Sequence, residues 1–108
     1  MKFIFLGIMS DDSISQLHAT SFEKRHAMAE IVANGAGGSL IDLTFVQGVY
    51  DMVAVMDLPN HSAAIGAKAA VLTTGAYEHV EILAEFDLDT AGEAQAQVAA
   101  SYRGLGDE

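Results

Sequence analysis

The alternation of apolar and polar residues along the chain predicts four β-strands. Residues 3–9 and 50–56 are apolar at almost every position, which is typical of central strands. Residues 40–46 and 77–86 alternate instead, as expected of half-exposed edge strands. In residues 40–46, one face is predicted to carry Ile41, Leu43 and Phe45, and the opposite face Asp42 and Thr44. In residues 77–86, one face is predicted to carry Val80, Ile82, Ala84 and Phe86, and the opposite face His79, Glu81, Leu83 and Glu85.

The segment between the first two strands has apolar residues at helical spacing. Residues 12–34 carry this spacing, but one continuous helix would put polar residues inside its apolar stripe. The sequence Thr20-Ser21-Phe22-Glu23 fits a capping box with the threonine as N-cap. We therefore expect a short helical turn over 12–18 and a main helix over 21–34 that ends at Gly35.

Two further helices are predicted in the second half of the chain. The first covers residues 61–74, with Asn60 as its N-cap and Gly75 at its end. One face of this helix would carry Ile65, Ala69 and Leu72. The capping-box sequence Thr90-Ala91-Gly92-Glu93 opens the last helix, which should run to about residue 102 and leave a frayed tail over 104–108.

The order of these elements is β-α-β-β-α-β followed by one more helix, which is the split-βαβ or ferredoxin-like pattern. The short segment 47–49 is a hairpin turn, so the second and third strands should be antiparallel neighbours. Right-handed crossovers place the first and third strands in the centre. We therefore predict one α+β domain over residues 1–108, ferredoxin-like, with a four-stranded antiparallel sheet and an extra C-terminal helix.

One face of the predicted sheet lacks a cover, because two helices can cover only the other. Either phase of the central strands leaves apolar side chains there, such as Phe3 and Phe5 or Ile4 and Leu6. Burying several hundred Å² of this surface offers on the order of 10 kcal/mol before the costs of association. We expect a homodimer or higher homo-oligomer, paired sheet to sheet as a dimeric α+β barrel. Cover by the C-terminal helix is the alternative.

The charge balance argues against nucleic acid and membrane surfaces as partners. The chain has 15 acidic and 5 basic residues, a formal net charge of −10, and only Lys24 and Arg25 are adjacent cations. Binding to phosphate groups needs clustered cations. Neither nucleic acid nor a membrane surface is therefore expected as a partner.

The chain contains no cysteine, which excludes disulfides and zinc–thiolate sites and fits a reducing compartment. We therefore expect a cytoplasmic protein. The apolar run 3–9 follows Lys2 but precedes no small-residue cleavage site, so a first strand is favoured over a signal peptide. No stretch of the chain is long enough and apolar enough to span a bilayer.

The sequence from Gly48 to Asn60 resembles the GYD-domain family, named for a Gly-x-Tyr/Phe-Asp motif. Here the motif is Gly48-Val49-Tyr50-Asp51, followed by the apolar strand MVAVM and by Asp57-Leu58-Pro59-Asn60. The order of elements over most of the chain is similar as well, although Asn60 replaces the more usual aspartate and segment 11–20 is longer. The resemblance implies a fold related to the dimeric α+β-barrel proteins and a homo-oligomer, and it implies no particular activity.

The motif residues are the first candidates for chemistry. Tyr50 as a hydrogen-bond donor and Asp51 as a base or orienting group would suit the mouth of a cavity. The structural alternative is that Gly48 provides a positive φ, Tyr50 packs and Asp51 accepts backbone amides. Turn chemistry alone explains the glycine and the aspartate, which favours this alternative.

A second candidate group lies along the two edge strands. Its members are His79, Glu81 and Glu85 on the last strand, and Asp42 and Thr44 on the second. They would form a polar rim on the face without helices, where imidazole and carboxylate suit metal binding or proton transfer. Edge strands also carry solvated polar residues by default, and that interpretation is favoured.

Three further polar features are weaker candidates. His18, His26 and His61 show no i, i+4 ligand spacing and are expected to be surface or hydrogen-bonded residues. Arg25 is expected to lie along the surface or to pair with a carboxylate, with an anionic ligand as the alternative. The glycine-rich segment 35–38 follows a helix and precedes a strand, which is the reverse of a phosphate-binding loop.

The leading hypothesis is a homo-oligomer that binds a small molecule or has a structural role, with Tyr50, Asp51, His79 and Glu81 as candidate ligand contacts. The alternative is a cofactor-free isomerase or monooxygenase acting on a small apolar or aromatic substrate between sheet and helices. Tyr50, Asp51 and His79 would then transfer protons. A regulatory module that binds another protein through a strand edge is a third hypothesis. No cofactor and no metal is expected.

Overall fold

Four antiparallel strands and four helices make up the described residues, 1–106, of a computed structural model. The strands are β1 (Lys2–Met9), β2 (Ser39–Phe45), β3 (Met52–Asp57) and β4 (Tyr77–Ala84), and the helices are α1 (Asp11–Ile14), α2 (Phe22–Gly35), α3 (His61–Thr73) and α4 (Leu88–Gly106), with a 3₁₀ turn over Leu17–Ala19. The sheet order β2-β3-β1-β4 places β1 and β3 in the centre. This confirms the predicted ferredoxin-like α+β fold, and it confirms residues 3–9 as a strand.

One face of the sheet packs against α2 and α3 and forms the core. The strands contribute large side chains, among them Phe3, Phe5, Met52, Met56 and Val80, and the helices contribute the buried alanines Ala33, Ala64 and Ala67. The buried residues of both helices are therefore small. Ile65 is 61% exposed and Ala69 is also exposed, so the face of α3 that packs against the sheet is the one with Ala64 and Ala67.

A β-bulge in β2 changes which of its residues face the core. Leu40 and Asp42 pair with consecutive residues of β3, so Ile41 is the extra residue. Ile41 is 55% exposed whereas Leu43 is buried, and the expectation that they share a face was wrong. Asp42 and Thr44 do lie on the face without helices, as predicted.

Local hydrogen bonds set the ends of α2 differently from the prediction. The N-cap is Ser21, whose hydroxyl accepts the amide of Lys24, and Thr20 lies outside the helix. At the other end Ala36 is the C-cap, and the positive φ of 91° falls at Gly37. Each cap is therefore displaced by one residue, the N-cap from Thr20 to Ser21 and the C-cap from Gly35 to Ala36, while the last helical residue is Gly35.

The ends of α3 agree with the prediction, and the start of α4 does not. Asn60 caps α3 through the amide of Ala63, and Gly75 follows the helix with a φ of 75°. Helix α4 begins at Leu88, before the predicted capping box, because the Asp87 carboxylate accepts the amide of Thr90 at 2.9 Å. Hydrogen bonds from Thr90 hold the pKa of Asp87 below its ordinary value.

Helix α4 extends away from the rest of the chain. Its residues 88–103 are all exposed, and the molecule measures 66 Å along its longest axis against 27 and 21 Å along the others. The helix continues to Gly106, so fraying from residue 104 was wrong; the remainder of that expected tail, residues 107–108, lies outside the described part. Helix α4 does not cover the second face of the sheet, which rules out that alternative.

The second face of the sheet, called here the open face, therefore has no cover within residues 1–106. Its apolar residues are Ile4, Leu6 and Ile8 of β1, Val53 and Val55 of β3, and Leu83 of β4, and its polar edges carry Asp42, Thr44, His79 and Glu81. No helix within the described residues is long and apolar enough to cross a membrane.

Candidate functional site

A cavity of about 540 Å³ lies between the core face of the sheet and helices α2 and α3. The sheet supplies its floor through Phe5, Leu43, Met52, Ala54, Met56 and Val80. The helices supply its walls through Met28, Ala29 and Val32 on one side and Ala67, Ala70 and Val71 on the other. The lining is therefore mostly apolar, as in many small-molecule pockets.

Small side chains in the walls account for the empty space. Ala29 on α2 and Ala67 on α3 lie where larger residues would fill the gap between helix and sheet. The cavity also reaches solvent, since Met28 in its lining is 54% exposed. The expectation of a cavity between sheet and helices is therefore met, and the space is not filled by side chains.

The polar end of the cavity is formed by Arg25 and Tyr77, together with residues of the segment between β1 and α2. The Arg25 Nε donates to the carbonyl oxygen of Thr20 at 3.2 Å, and the guanidinium carbon lies 5.7 Å from the centre of the Phe45 ring. Among residues 1–106, no Asp or Glu forms an ion pair with Arg25. The predicted pairing of Arg25 with a carboxylate is thus not found in this part of the chain.

Tyr77 contributes a half-buried phenol to the same cavity. Burial raises the pKa of Tyr77 above 10.0, the positive charge of Arg25 opposes that rise, and the negative charge of Asp51 adds to it. The hydroxyl therefore keeps its proton at neutral pH and can donate a hydrogen bond. Tyr77 was not predicted as a candidate from the sequence, because it lies at the start of a strand and outside every motif.

Asp51 forms hydrogen bonds with the end of β1. Its carboxylate accepts the amide of Met9 at 2.8 Å, and its own amide donates to the carbonyl oxygen of Gly7 at 2.8 Å. These bonds attach the 46–51 connection to the end of β1. Gly48 has a positive φ of 154°, so the contacts support the structural alternative for the motif glycine and aspartate.

Tyr50 and Glu81 are brought together outside the cavity. The connection between β2 and β3 is longer than the predicted 47–49 turn, and β3 begins at Met52, so Tyr50 lies in the loop. From there the Tyr50 hydroxyl donates to a carboxylate oxygen of Glu81, at one edge of the open face. This hydrogen bond raises the pKa of Tyr50 above its ordinary value of 10.0.

The other candidate side chains form no common centre within the described residues. His79 lies exposed on the open face, two residues from Glu81 along β4. Glu85 accepts the amide of Lys2, and the hydroxyl of Thr44 donates to Asp42. In residues 1–106 no three His, Asp or Glu side chains are placed to hold a metal ion.

Two of the remaining histidines have partners of their own. His26 lies 2.9 Å from a carboxylate oxygen of Glu30, one helical turn away. The ring of His61 contacts the ring of Phe3 edge-on, with 5.4 Å between the ring centres. Both arrangements are local, and neither adds a residue to the cavity.

Replacing Glu81 with glutamine should lower the pKa of Tyr50 towards 10.0, because a neutral amide no longer opposes formation of the phenolate. In the folded wild-type protein Tyr50 keeps its proton up to a higher pH than it does in the unfolded chain. The free energy of unfolding should therefore fall as pH rises above about 10. Phenolate absorbance, taken as the difference between wild type and Tyr50→Phe, gives the midpoint, and an unchanged midpoint in Glu81→Gln would contradict the prediction.

Comparison with protein-family models gives a match over most of the chain. A search of curated proteins found no similar sequence. The family model of the GYD domain matches residues 3–95, which includes all of the sheet except Lys2, helices α1–α3 and the motif at Gly48 to Asp51. That match covers most of the chain, and so this chain belongs to the GYD-domain family.

Proposed function

We propose that this protein is a homodimeric domain that binds a small, largely apolar molecule between its sheet and its helices. The observation that carries the proposal is the cavity of about 540 Å³ with apolar walls and a polar end. Pockets for small molecules commonly have volumes of about 300–1,000 Å³, apolar linings and a few polar groups that orient the ligand. The cavity meets each of these conditions.

Binding is favoured over catalysis by the groups that line the cavity. A general base for proton transfer works best with a pKa near the working pH, and the pKa of Tyr77 is raised instead. Tyr50 donates to Glu81 at the open face, and His79 also lies on that face. The cofactor-free isomerase or monooxygenase hypothesis would need these groups beside the substrate.

The same chain is proposed to pair with a second copy through the open face. Apolar residues form the middle of this face and polar residues its edges, as in stable interfaces. Four strands about 4.8 Å apart and six residues long at about 3.4 Å per residue give roughly 400 Å² per copy, about half of a standard interface. Helix α4 offers further apolar surface at Leu88, Val98 and Tyr102, each at least 67% exposed.

A second copy fits this surface better than an unrelated partner does. A twofold axis would place the open face of one copy on the open face of the other, so that each apolar centre covers the other. The cytoplasmic location expected from the cysteine-free sequence remains part of the proposal. No contact among residues 1–106 supports binding of another protein through a strand edge.

Replacing Ala67 with leucine should weaken ligand binding while leaving the fold intact. Ala67 is 5% exposed and lines the cavity, so three added carbon atoms would occupy the space that we assign to the ligand. With 1-octanol as the probe, titration followed by ¹H–¹⁵N NMR should show an affinity lower by at least tenfold, which is about 1.4 kcal/mol.

The matched control is Ala69→Leu, two residues away on the exposed side of α3. It adds the same atoms outside the cavity and should bind 1-octanol as the wild type does. Equal binding by wild type and Ala67→Leu, or shift changes confined to the open face, would remove the basis for this binding site.

A further inference from the structure

We propose that the ligand of the cavity carries one anionic headgroup, a carboxylate, which is bound by the guanidinium of Arg25 with the hydroxyl of Tyr77 as second donor. This inference rests on the proposed function and adds the chemical class of the ligand. The proposed ligand is an amphipathic monocarboxylate, whose apolar body lies over the sheet and whose charge lies at the end of the cavity beside α1 and α2.

The position of Arg25 is fixed before any ligand binds. One N–H donates to the carbonyl of Thr20, and the planar group lies on the ring of Phe45. Both contacts reduce the conformational freedom that a long side chain would otherwise lose on binding. The remaining guanidinium N–H groups form no hydrogen bond to residues 1–106, and a planar guanidinium matches the two oxygens of a carboxylate.

The absence of an ion pair at Arg25 is informative in so acidic a chain. There are 15 acidic residues and 5 basic ones, yet within residues 1–106 none of the acidic side chains pairs with this arginine. Asp51, which lies near Tyr77, is already engaged by the amide of Met9. The cation at the polar end of the cavity is thus available to an external anion.

Negative charge nearby limits that anion to a single charge. Asp12 lines the cavity on the same side as Arg25, and the chain as a whole has a formal net charge of −10. Each added negative charge on a ligand would be repelled by these groups while only one arginine attracts it. A monocarboxylate therefore fits better than a phosphate, which carries nearly two charges at neutral pH.

The test compares octanoate with 1-octanol, two probes with the same number of carbon atoms and different headgroups. Dissociation constants are measured by ¹H–¹⁵N NMR at pH 7.5 on the wild type, Arg25→Met and Lys24→Met. We expect the wild type to bind octanoate at least tenfold more tightly than 1-octanol. Arg25→Met should lose this preference, and Lys24→Met, which removes the neighbouring exposed cation outside the cavity, should keep it.

A second variant and a salt series keep the result interpretable if Arg25→Met does not fold. Tyr77→Phe retains the ring and should lower the affinity for octanoate several-fold, leaving that for 1-octanol unchanged. Raising NaCl from 0.05 to 1 M should remove most of the advantage of octanoate in the wild type, since the arginine lies at a solvent-accessible end of the cavity.

The outcomes separate this inference from the proposed function. Equal binding of both probes by the wild type, or an octanoate preference that survives in Arg25→Met, would overturn the carboxylate headgroup and leave the apolar cavity as a binding site. Failure of both probes to bind the wild type would overturn both proposals.

Discussion

Replacing Gly38 with alanine is expected to lower the free energy of unfolding by about 3 kcal/mol or more. A Cβ atom at this position would lie 1.8 Å from the carbonyl oxygen of Asp57 and 2.9 Å from a methyl carbon of Leu58. The oxygen belongs to the backbone of β3, and Leu58 is only 1% exposed, so neither atom can move aside without disturbing the core. The strands would have to separate where β2 begins.

Gly35→Ala is the matched control for this substitution. Nothing lies within 4 Å of a Cβ built on Gly35, its φ is not positive, and it ends helix α2. Alanine should therefore raise the free energy of unfolding by up to about 1 kcal/mol, because it loses less backbone entropy than glycine in a helix. Urea unfolding of both variants measures the difference, and equal stability of the two would contradict the close approach at Gly38.

These glycines show where sequence reasoning succeeds and where it stops. The run of small residues after α2 correctly predicted that this helix ends near residue 35. The separate roles of Gly35, Gly37 and Gly38 depend on which strand lies beside them. Contact between Gly38 and Asp57 joins residues 19 positions apart, and no local pattern contains it.

The strands were the most predictable elements, since alternation depends on which side of the sheet is buried. The double-sided apolar character of β1 and β3 placed them correctly in the centre. The face of Ile41 was predicted wrongly because a bulge inserts one residue and so reverses the alternation of faces within the strand. The alternating pattern there fitted a regular strand equally well.

The sequence led us to expect a cavity between sheet and helices, but it did not predict the polar residues of that cavity. The motif pointed to Tyr50 and Asp51, and the polar edge of the last strand pointed to His79. The structure divides these residues between a loop attachment and the open face. Tyr77 enters the cavity because β4 pairs with β1 through a register shift near Met9. The alanine-rich sequence of α3 was the available signal, because small residues on a helix over a sheet leave space.

Replacing Ile4 with lysine should convert the proposed dimer into a monomer. Ile4 lies in the middle of the open face, between Val55 of β3 and Leu83 of β4, so no carboxylate is directly opposite it. In a monomer the lysine would extend into water at little cost. In the dimer two buried, unpaired charges would each cost about 3 kcal/mol, which weakens association by roughly ten-thousandfold or more.

Light scattering coupled to size-exclusion chromatography measures this change directly. The wild type should have twice the chain mass of 11.4 kDa, and Ile4→Lys should have the single mass with its circular dichroism spectrum retained. Ile31→Lys, on α2 and 70% exposed, introduces the same charge away from the open face and should remain dimeric. A wild-type protein that stays at the single mass at high concentration would leave the apolar residues of the open face in water, and the sheet-to-sheet dimer would have to be abandoned.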